Sequence, residues 1–191
     1  MNRNENIKPK VLNEAKVLFL KFGYEGTKVP QIADSAGISV GNIYRYFKNK
    51  EDIINELYIN SAEELIESVQ PIIKYIDFMD FREIHKELFK RIVLFSIENR
   101  DTMRFLLRHH ENYYISDENK QYMLNGLLPV FHRIFKEIEN EAIKKWPVEY
   151  IVSVFIGTVA HLIEWVDLKD VNEDFFTKLE QKQWETISDE I

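Results

Sequence analysis

The sequence predicts an all-α protein, and three observations support this prediction. Apolar residues recur at three- and four-residue spacings along almost all of the 191 residues, which is the period of a helix. The chain has only six glycines and five prolines, fewer than a loop-rich or β-sandwich fold uses in its tight turns. No run of alternating apolar and polar residues is long enough to indicate a strand. With 45% apolar and 13% aromatic residues, the chain is also too hydrophobic to be disordered.

The four amino-terminal helices are predicted from apolar stripes and from the residues that start and end helices. The first stripe ends where Gly23 stops a helix, and Gly37 breaks a second, shorter one. Thr27, Ser39 and Asn49 carry side chains that cap helix amino termini. The predicted elements are Ile7–Phe22, a short helix after Thr27, Val40–Tyr46, and a longer helix after Asn49 that Pro71 closes.

Five further helices are predicted downstream. Asp101 is expected to cap the second of them, Ser116 or Asp117 begins the third, and Pro129 is expected to kink that third helix. Their predicted extents are Phe81–Ile97, Asp101 to about His110, Ser116 or Asp117 to about Lys145, Tyr150–Val166 after Pro147, and about Asn172 to Ile187.

The composition and the termini exclude several classes of protein. The chain has no cysteine, so disulfides, thiolate metal ligands and cysteine nucleophiles are excluded. No apolar stretch follows a basic amino terminus, and His161 and Glu164 interrupt the richest apolar segment, which is too short to span a bilayer. We therefore expect a soluble, cytoplasmic protein without a membrane partner.

The charge of the chain is unevenly distributed. The net charge is −7, yet residues 1–50 contain nine basic and four acidic side chains and so carry +5. The remaining residues therefore carry −12. This asymmetry is typical of a basic binding module joined to an acidic body, although charged residues that merely cover solvated helix faces would give the same totals.

Residues 29–47 contain the most specific pattern in the chain. Ala33 supplies a small side chain where two short helices cross, and Gly37 tolerates the left-handed backbone that the turn between them requires. The residues expected to face inward are Ile32, Ala36, Ile38, Ile43 and Phe47. Together these features predict a helix-turn-helix.

The outward side of the third helix carries no acidic residue and is predicted to bind DNA. Asn42 and Arg45 belong to the types that pair with adenine and guanine edges, and Val40 can contact a thymine methyl. Gly41 permits close approach to the DNA. A short helical hairpin with an incidentally polar face is the alternative. The predicted DNA-binding residues are Thr27, Lys28, Ser39, Val40, Gly41, Asn42, Tyr44, Arg45, Tyr46 and Lys50.

The segment Ile43–Asp52, with residues 23–27 and 32–39, resembles the DNA-binding domain of TetR-type transcriptional regulators. The resemblance covers about residues 7–55 and implies a helix-turn-helix domain over 1–48. It also implies a larger helical domain over 49–191 that binds an effector and forms a homodimer on a palindromic operator. By this resemblance all the predicted DNA-binding residues except Val40 and Arg45 contact DNA. Many family members have lysine where this chain has Val40.

Aromatic residues are dense between residues 78 and 135, which favours an apolar or aromatic effector. Aromatics at helical spacing are, however, more commonly plain core. The candidate pocket residues are Phe78, Phe81, Phe89, Phe105, Tyr113, Tyr114, Tyr122, Met123, Phe131 and Phe135. The polar candidates beside them are His85, His109, His110, Glu111, His132 and His161. Capping of a helix end is favoured for His109 and His110, and a hydrogen-bonded pair for His161 and Glu164; no metal site and no cofactor are predicted.

The helix Tyr150–Val166 is apolar on nearly all sides, so it is predicted to be buried all round. A dimer interface explains this pattern, and deep burial within one chain is the alternative. The candidate interface residues are Phe155, Val159, Leu162, Phe176, Leu179 and Trp184.

We expect a sequence-specific DNA-binding regulator, a homodimeric repressor that a small apolar or aromatic effector releases from double-stranded DNA. Tilting of the helix Glu51–Val69 would change the spacing between the two reading helices. A DNA-binding activator and a regulator without a ligand share every feature described. An enzyme is the distant alternative, because the chain has no glycine-rich phosphate loop, nucleophile elbow or His-Glu-x-x-His motif.

Overall fold

The computed structural model describes residues 7–139, 148–167 and 170–188. Over these ranges the regular structure is helical and no strand occurs, which confirms the predicted all-α class. None of the described helices is both long and apolar enough to cross a membrane. The helices are α1 (Ile7–Gly26), α2 (Val29–Ser35), α3 (Val40–Ile43), α4 (Lys50–Ile73), α5 (Phe81–Glu98), α6 (Arg100–His109), α7 (Asp117–Glu139), α8 (Val148–Trp165) and α9 (Glu173–Ile187). A 3₁₀ turn, Ile76–Phe78, lies between α4 and α5.

Several helix ends follow the signals predicted from the sequence. Gly23 has a left-handed φ of 72° and breaks the helical backbone near the end of α1. Ser39, Asn49 and Asn172 each accept a hydrogen bond from the amide three residues later, at 3.3, 2.7 and 2.9 Å. Short-range capping therefore determines where α3, α4 and α9 begin.

Other predicted boundaries were wrong, in each case because a contact or a neighbouring residue overrides the local signal. Lys28, rather than Thr27, precedes α2, and its N–H donates to Gln31 Oε1 at 2.7 Å. α4 continues past Pro71, because a proline in the last turn removes only one helical hydrogen bond. Asp101 lies inside the first turn of α6 instead of capping it.

α3 is also shorter than predicted. The predictions made for residues 140–147 fall outside the described part of the chain. The chain turns after Ile43, whose carbonyl accepts from the amides of Tyr46 and Phe47 at 2.9 and 3.0 Å. This turn brings the Phe47 side chain into the core. α7 runs through Pro129; its predicted continuation to about Lys145, and Pro147, lie outside the described residues.

The described chain forms two compact units. The first comprises the residues up to Ala62 together with Arg104–Tyr122, and it is larger than the predicted domain 1–48. Its helix-turn-helix is formed by α2 and α3, with Gly37 at a φ of 62° between them and Ala33 buried where the helices cross. The side chains that form the core around it are Val11, Ala15, Phe19, Ile32, Ala36, Ile43, Phe47, Ile53 and Ile54.

The second unit comprises Glu63–Met103 and the described residues from Met123 onward. One of its core clusters is formed by Val69, Ile72, Ile76, Ile84, Leu88 and Val130, and another by Phe89, Val93, Ile97, Leu162 and Phe176. Within this unit α4 and α7 approach closely at Gly126. A Cβ atom placed on Gly126 would lie 2.4 Å from Ile66 Cδ1, closer than real Cβ contacts come.

The predicted dimer-interface residues do not lie on a free surface. Val159, Leu162, Phe176 and Trp184 are buried within the single chain, and Phe155 and Leu179 pack half-buried against the same core. Burial within one chain was the alternative interpretation for α8, and Val159 and Leu162 are buried in that way. The single chain does not bury α8 on all sides, because Ile156 is 45% exposed and Trp165 is 78% exposed.

Candidate nucleic-acid interface

α3 and the turn that follows it present a row of outward-facing side chains. Ile43 and Phe47 are almost completely buried and fix this short segment to the core. The intervening and flanking residues therefore point away from the core. Seven of the predicted DNA-binding residues lie together here: Ser39, Gly41, Tyr44 and Arg45 are exposed, and Val40, Asn42 and Tyr46 are half-buried.

The segment that contains α3 has no acidic residue. Residues 35–50 contain no Asp or Glu, and they include Arg45, Lys48 and Lys50. In the described part of the chain, the Arg45 guanidinium has no ion-pair or hydrogen-bond partner, and Tyr44 beside it is 53% exposed. An unpaired guanidinium beside exposed phenols has the chemistry to bind phosphate oxygens and base edges.

Gly41 has no steric role in the fold. A Cβ placed on it would meet only Ser39 Oγ at 4.0 Å, which is ordinary van der Waals contact. A glycine in a helix costs about 1 kcal/mol relative to alanine, and the packing of this protein does not require it. The missing side chain instead leaves the backbone of α3 open to close approach by a partner.

Unlike the predicted DNA-binding residues on α3, Thr27 is buried. Its side chain is fully buried, and its hydroxyl donates to the carbonyls of Gly23 and Leu18 at 2.8 and 3.1 Å. Its amide donates to Tyr24 O at 3.3 Å. Both donors are therefore used inside the protein, and we expect Thr27 to hold the turn before α2 rather than to contact phosphate. Lys28, the next residue, is exposed.

Lys50 is also held internally. Its Nζ donates to the carbonyls of Tyr24 and Thr27 at 2.7 and 3.1 Å and lies 4.0 Å from the centre of the Tyr24 ring. The cation satisfies carbonyls at the end of α1, where the helix dipole favours positive charge. We therefore expect Lys50 to position α1 and α4 in the first unit, rather than to act chiefly as a phosphate ligand.

Replacing Lys50 by methionine tests this assignment. We expect the free energy of unfolding to fall by about 1–2 kcal/mol, because two carbonyl hydrogen bonds to a charged donor are lost. The dependence of DNA affinity on salt should stay unchanged, whereas loss of a phosphate contact would lower its slope by about 1. Urea unfolding and fluorescence anisotropy at several salt concentrations measure both quantities. Lys48→Met, at an exposed lysine, is the control, and a lower salt slope for the Lys50 variant would contradict the assignment.

A second layer of contacts supports these elements from the segment between α6 and α7. The ring of Tyr114 stacks on that of Tyr24 with centroids 4.0 Å apart. Burial raises the pKa of Tyr24 to about 12, and the charge of Glu51 adds to this effect. Arg108 donates to the carbonyl of Leu20. The segment Arg104–Tyr122 is therefore part of the unit that carries α3.

Asn55 connects α4 to this segment through its side-chain amide. Its Nδ2 donates to Tyr114 O at 2.7 Å, and its Oδ1 accepts from Ser116 N at 2.8 Å and from Asn119 Nδ2 at 2.9 Å. Sequence reasoning missed Asn55 because all three partners lie about sixty residues away along the chain. No local signal marks such a residue.

The side chains of the adjacent histidines at the end of α6 bond tyrosine hydroxyls and do not cap the helix, so the capping prediction was wrong. His109 is buried, and its Nδ1 lies 2.6 Å from the Tyr114 hydroxyl. His110 Nδ1 lies 2.5 Å from the Tyr58 hydroxyl. Burial lowers the pKa of His109 to about 4, and the charge of Arg108 acts in the same direction. Burial also lowers the pKa of His110 and outweighs the opposing charge of Glu111.

The low pKa of His109 predicts a loss of stability in mild acid. The folded-state pKa of about 4 lies below the ordinary value of 6.5, so the unfolded chain takes up the proton first as the pH falls. Stability is therefore complete above pH 6.5 and decreases toward pH 4, by on the order of 1 kcal/mol between pH 7 and pH 5. Urea unfolding of wild type and His109→Gln at both pH values measures it. An equal loss in both proteins would contradict the prediction.

The predicted pocket aromatics fall into two groups and do not form one cluster. Phe105, Tyr113, Tyr114 and Tyr122 belong to the first unit, and Phe78, Phe81, Phe89 and Met123 to the second. Phe81, Phe89, Phe105 and Tyr114 are buried core residues, whereas Phe78 and Tyr113 are 87% and 79% exposed. The side chains of Phe131 and Phe135 on α7 lie outside those described.

The polar side chains predicted beside the pocket also differ in burial. Glu111, His132, His161 and Glu164 are exposed, and His85 is buried in the second unit. Among the described residues, no group of three or more His, Asp or Glu side chains is placed to hold a metal ion.

Both the amino-terminal and the carboxyl-terminal part of the chain match models of known protein families. Residues 11–57 match the family model of bacterial regulatory proteins of the tetR family. Residues 58–189 match the model of the tetracyclin repressor-like carboxyl-terminal domain. The chain belongs to the TetR family. The resemblance seen in residues 7–55 is thereby confirmed and extended to most of the sequence.

Relatives in the TetR family differ in how much of the chain they match. The fatty acid metabolism regulator protein of Bacillus subtilis (strain 168) is 38% identical over 64 residues, which cover 34% of this chain and only 33% of that protein. The Tn10 TetC protein of Escherichia coli is 24% identical over 181 residues, 93% of this chain and 78% of its own. The crystal structure of a TetR family regulator from Marinobacter aquaeolei VT8 has a TM-score of 0.83 over 98% of both chains, at 15% identity. That structure shares the fold.

Proposed function

We propose that this TetR-family protein is a homodimeric repressor that reads a palindromic operator and is released by a small apolar or aromatic effector. The observation that carries the proposal is that α3 lies in a segment without acidic residues, on which Arg45 is exposed and has no ion-pair or hydrogen-bond partner among the described residues. Family membership supports DNA as the partner, and relatives in this family are transcriptional regulators rather than enzymes. We propose that it acts on chromosomal DNA in the cytoplasm and has no catalytic activity.

We propose that Asn42 and Arg45 read base edges, and that Val40 contacts a thymine methyl. Ser39, Tyr44 and Tyr46 would bind phosphate oxygens, with Lys28 as a further cationic contact, while Gly41 allows the helix backbone to come close. The exposure of Arg45 and the half-exposure of Asn42 support base reading, since a guanidinium and a carboxamide match guanine and adenine edges in the major groove.

We propose that α8 contributes the dimer contact with the side that the single chain leaves exposed. Ile156 and Trp165, nine residues apart and so at opposite edges of this exposed side, supply apolar area there. Gly157 is exposed with nothing within 4 Å of an added Cβ, so a second helix can approach its backbone. A two-fold dimer places two α3 helices on successive major grooves, about 34–36 Å apart.

The effector class is proposed from the aromatic core of the second unit and from one relative. The Bacillus subtilis relative is named as a regulator of fatty acid metabolism, and fatty acids are apolar molecules. An activator, or a regulator that needs no ligand, would use the same reading surface. DNA release on addition of the effector separates these alternatives.

Selection of binding sites from a randomised DNA library tests the proposed reading function. We expect wild-type protein to enrich a palindromic sequence that binds two protomers, with an affinity that falls steeply as salt rises. Arg45→Ala should retain non-specific binding but lose about 1–3 kcal/mol of discrimination at one base position in each half-site. Lys86→Ala, at an exposed lysine of α5, is the control. Enrichment of no common sequence by the wild-type protein would contradict the proposal.

Sedimentation of wild type and Trp165→Glu tests the dimer. The charged substitution should convert the dimer to a monomer, because it places a carboxylate in the proposed apolar contact. Operator binding should weaken in parallel. An unchanged dimer would assign the interface to another face.

A further inference from the structure

A buried polar cluster joins α5 and α9 in the second unit. The carboxylate of Glu180 accepts two hydrogen bonds from the Arg82 guanidinium, one of them at 2.8 Å between Nη2 and Oε2, and another from His85 Nδ1 at 2.7 Å. Glu180 is 5% exposed and His85 is 7% exposed. Burial raises the pKa of Glu180, but the hydrogen bonds from His85 and Arg82 outweigh it and bring the pKa down to about 2. The carboxylate is therefore ionised and fully partnered.

Other polar atoms of this cluster have no partner. His85 Nε2 and both amide atoms of Gln183 are buried without a hydrogen bond to any described residue, and the Gln183 side chain is only 5% exposed. A buried polar group that lacks a partner costs about 1–3 kcal/mol, and proteins rarely retain one without a bound molecule or a function. Three such atoms, on His85 and on the turn of α9 that holds its partners Glu180 and Trp184, point to a molecule that binds them.

The surroundings of these atoms are aromatic. Gln183 lies three residues after Glu180 and thus on the same face of α9, next to Trp184 in sequence. The His85 ring lies 5.1 Å from the Trp184 ring and 6.1 Å from the Phe89 ring, and Phe81 lies 5.6 Å from Trp184. The His85 ring is therefore a polar group among aromatic rings, which is the usual composition of a small-molecule site.

The charges of the cluster favour an uncharged ligand. Arg82 already neutralises Glu180, and His85 donates its Nδ1 proton to that carboxylate. His85 Nε2 is a second ring nitrogen that can bond a ligand, and Gln183 offers one acceptor oxygen and an NH₂ donor. A ligand anion would face the acceptor oxygen of Gln183 close to the ionised Glu180 carboxylate. A hydroxyl or carboxamide, which both donates and accepts, matches these atoms better.

We propose that His85 Nε2 and the Gln183 carboxamide bind the hydroxyl or carboxamide of an aromatic, uncharged effector. This inference rests on the proposed function, which requires an effector, and it specifies the polar group of that effector. The inference brings together two residues that the sequence analysis kept apart. His85 was a predicted polar pocket residue, and Gln183 lies on a helix predicted only to form the dimer.

Calorimetric titration of the full-length protein with three matched probes tests the site. We expect 2-naphthol to bind at least tenfold more tightly than naphthalene, which lacks the hydroxyl, and than 2-naphthoate, which replaces it by an anion. Gln183→Leu should weaken 2-naphthol binding at least tenfold and leave naphthalene binding unchanged. The same variant should raise the melting temperature of the free protein, because it removes two unpartnered polar atoms. Gln181→Leu, at an exposed position where Gln181 bonds Glu185, is the control.

The inference is overturned if none of the probes binds, if all three bind equally, or if Gln183→Leu leaves 2-naphthol binding unchanged. It is also overturned if both Gln183→Leu and Gln183→Met lower the melting temperature, since the carboxamide would then be a partnered structural group. Anisotropy with the selected operator separates this site from the proposed function. If 2-naphthol binds through Gln183 but does not release DNA, the site stands and the repressor mechanism fails.

Discussion

Gly41→Leu should weaken operator binding by at least a hundredfold, about 3 kcal/mol, without loss of folding stability. The added Cβ meets nothing closer than Ser39 Oγ at 4.0 Å, and Gly41 is exposed, so we expect the first unit to have room for the side chain. In the complex the same side chain would occupy the space between the α3 backbone and the DNA. Leucine is also a better helix former than glycine, so the free energy of unfolding should be equal or up to about 1 kcal/mol higher.

Fluorescence anisotropy and urea unfolding of the same preparations measure the two effects. Asn13→Leu, which adds an apolar side chain at an exposed position of α1, is the control and should leave operator binding unchanged. Gly41→Ala should give an intermediate loss of affinity. Full operator affinity in the leucine variant would show that α3 does not approach DNA through this face.

Gly126→Val should destabilise the second unit by about 3 kcal/mol, the upper part of the range for overpacked cores. A Cβ on Gly126 would lie 2.4 and 2.7 Å from Cδ1 and Cγ1 of Ile66. Ile66 is buried and β-branched, so its side chain has little freedom to move away. The helices α4 and α7 would have to separate at this point.

The combination with Ile66→Ala provides the internal control for this prediction. Ile66→Ala by itself should lower the free energy of unfolding. In the double variant the same substitution should recover much of the stability that Gly126→Val loses. A double-mutant cycle of urea unfolding should therefore give a coupling of more than about 1 kcal/mol. Additive losses would show that the clash is relieved elsewhere. Because α4 also carries Asn55 and Lys50, operator affinity should be measured for all three variants.

The helix-turn-helix could be predicted from the sequence because its determinants are local. Gly37 in the turn, Ser39 as a cap and the apolar residues Ile43 and Phe47 act within a few residues of one another, and the structure has each in its predicted place. The length of α3 was overestimated because the inward turn after Ile43 follows from packing of Phe47 rather than from helix propensity.

The surroundings of other predicted site residues depend on contacts between distant parts of the chain. Lys50 bonds carbonyls more than twenty residues away, and its type and position are equally typical of a phosphate ligand. On α8, a helix with apolar residues on every side, periodicity does not indicate which side faces the core. The single chain buries Val159 and Leu162, two of the predicted interface residues, and leaves Ile156 and Trp165 exposed.

The composition of the first unit has a consequence for engineering. Its amino-terminal residues are completed by Arg104–Tyr122, through the Tyr24–Tyr114 stack and the Asn55 hydrogen bonds. A chimera that transplants only the amino-terminal reader onto another regulator would leave the Asn55 amide and the Tyr24 ring facing foreign side chains. A graft that also carries residues 104–122 would keep these partners, so specificity is expected to transfer as a two-part cassette rather than as one contiguous module.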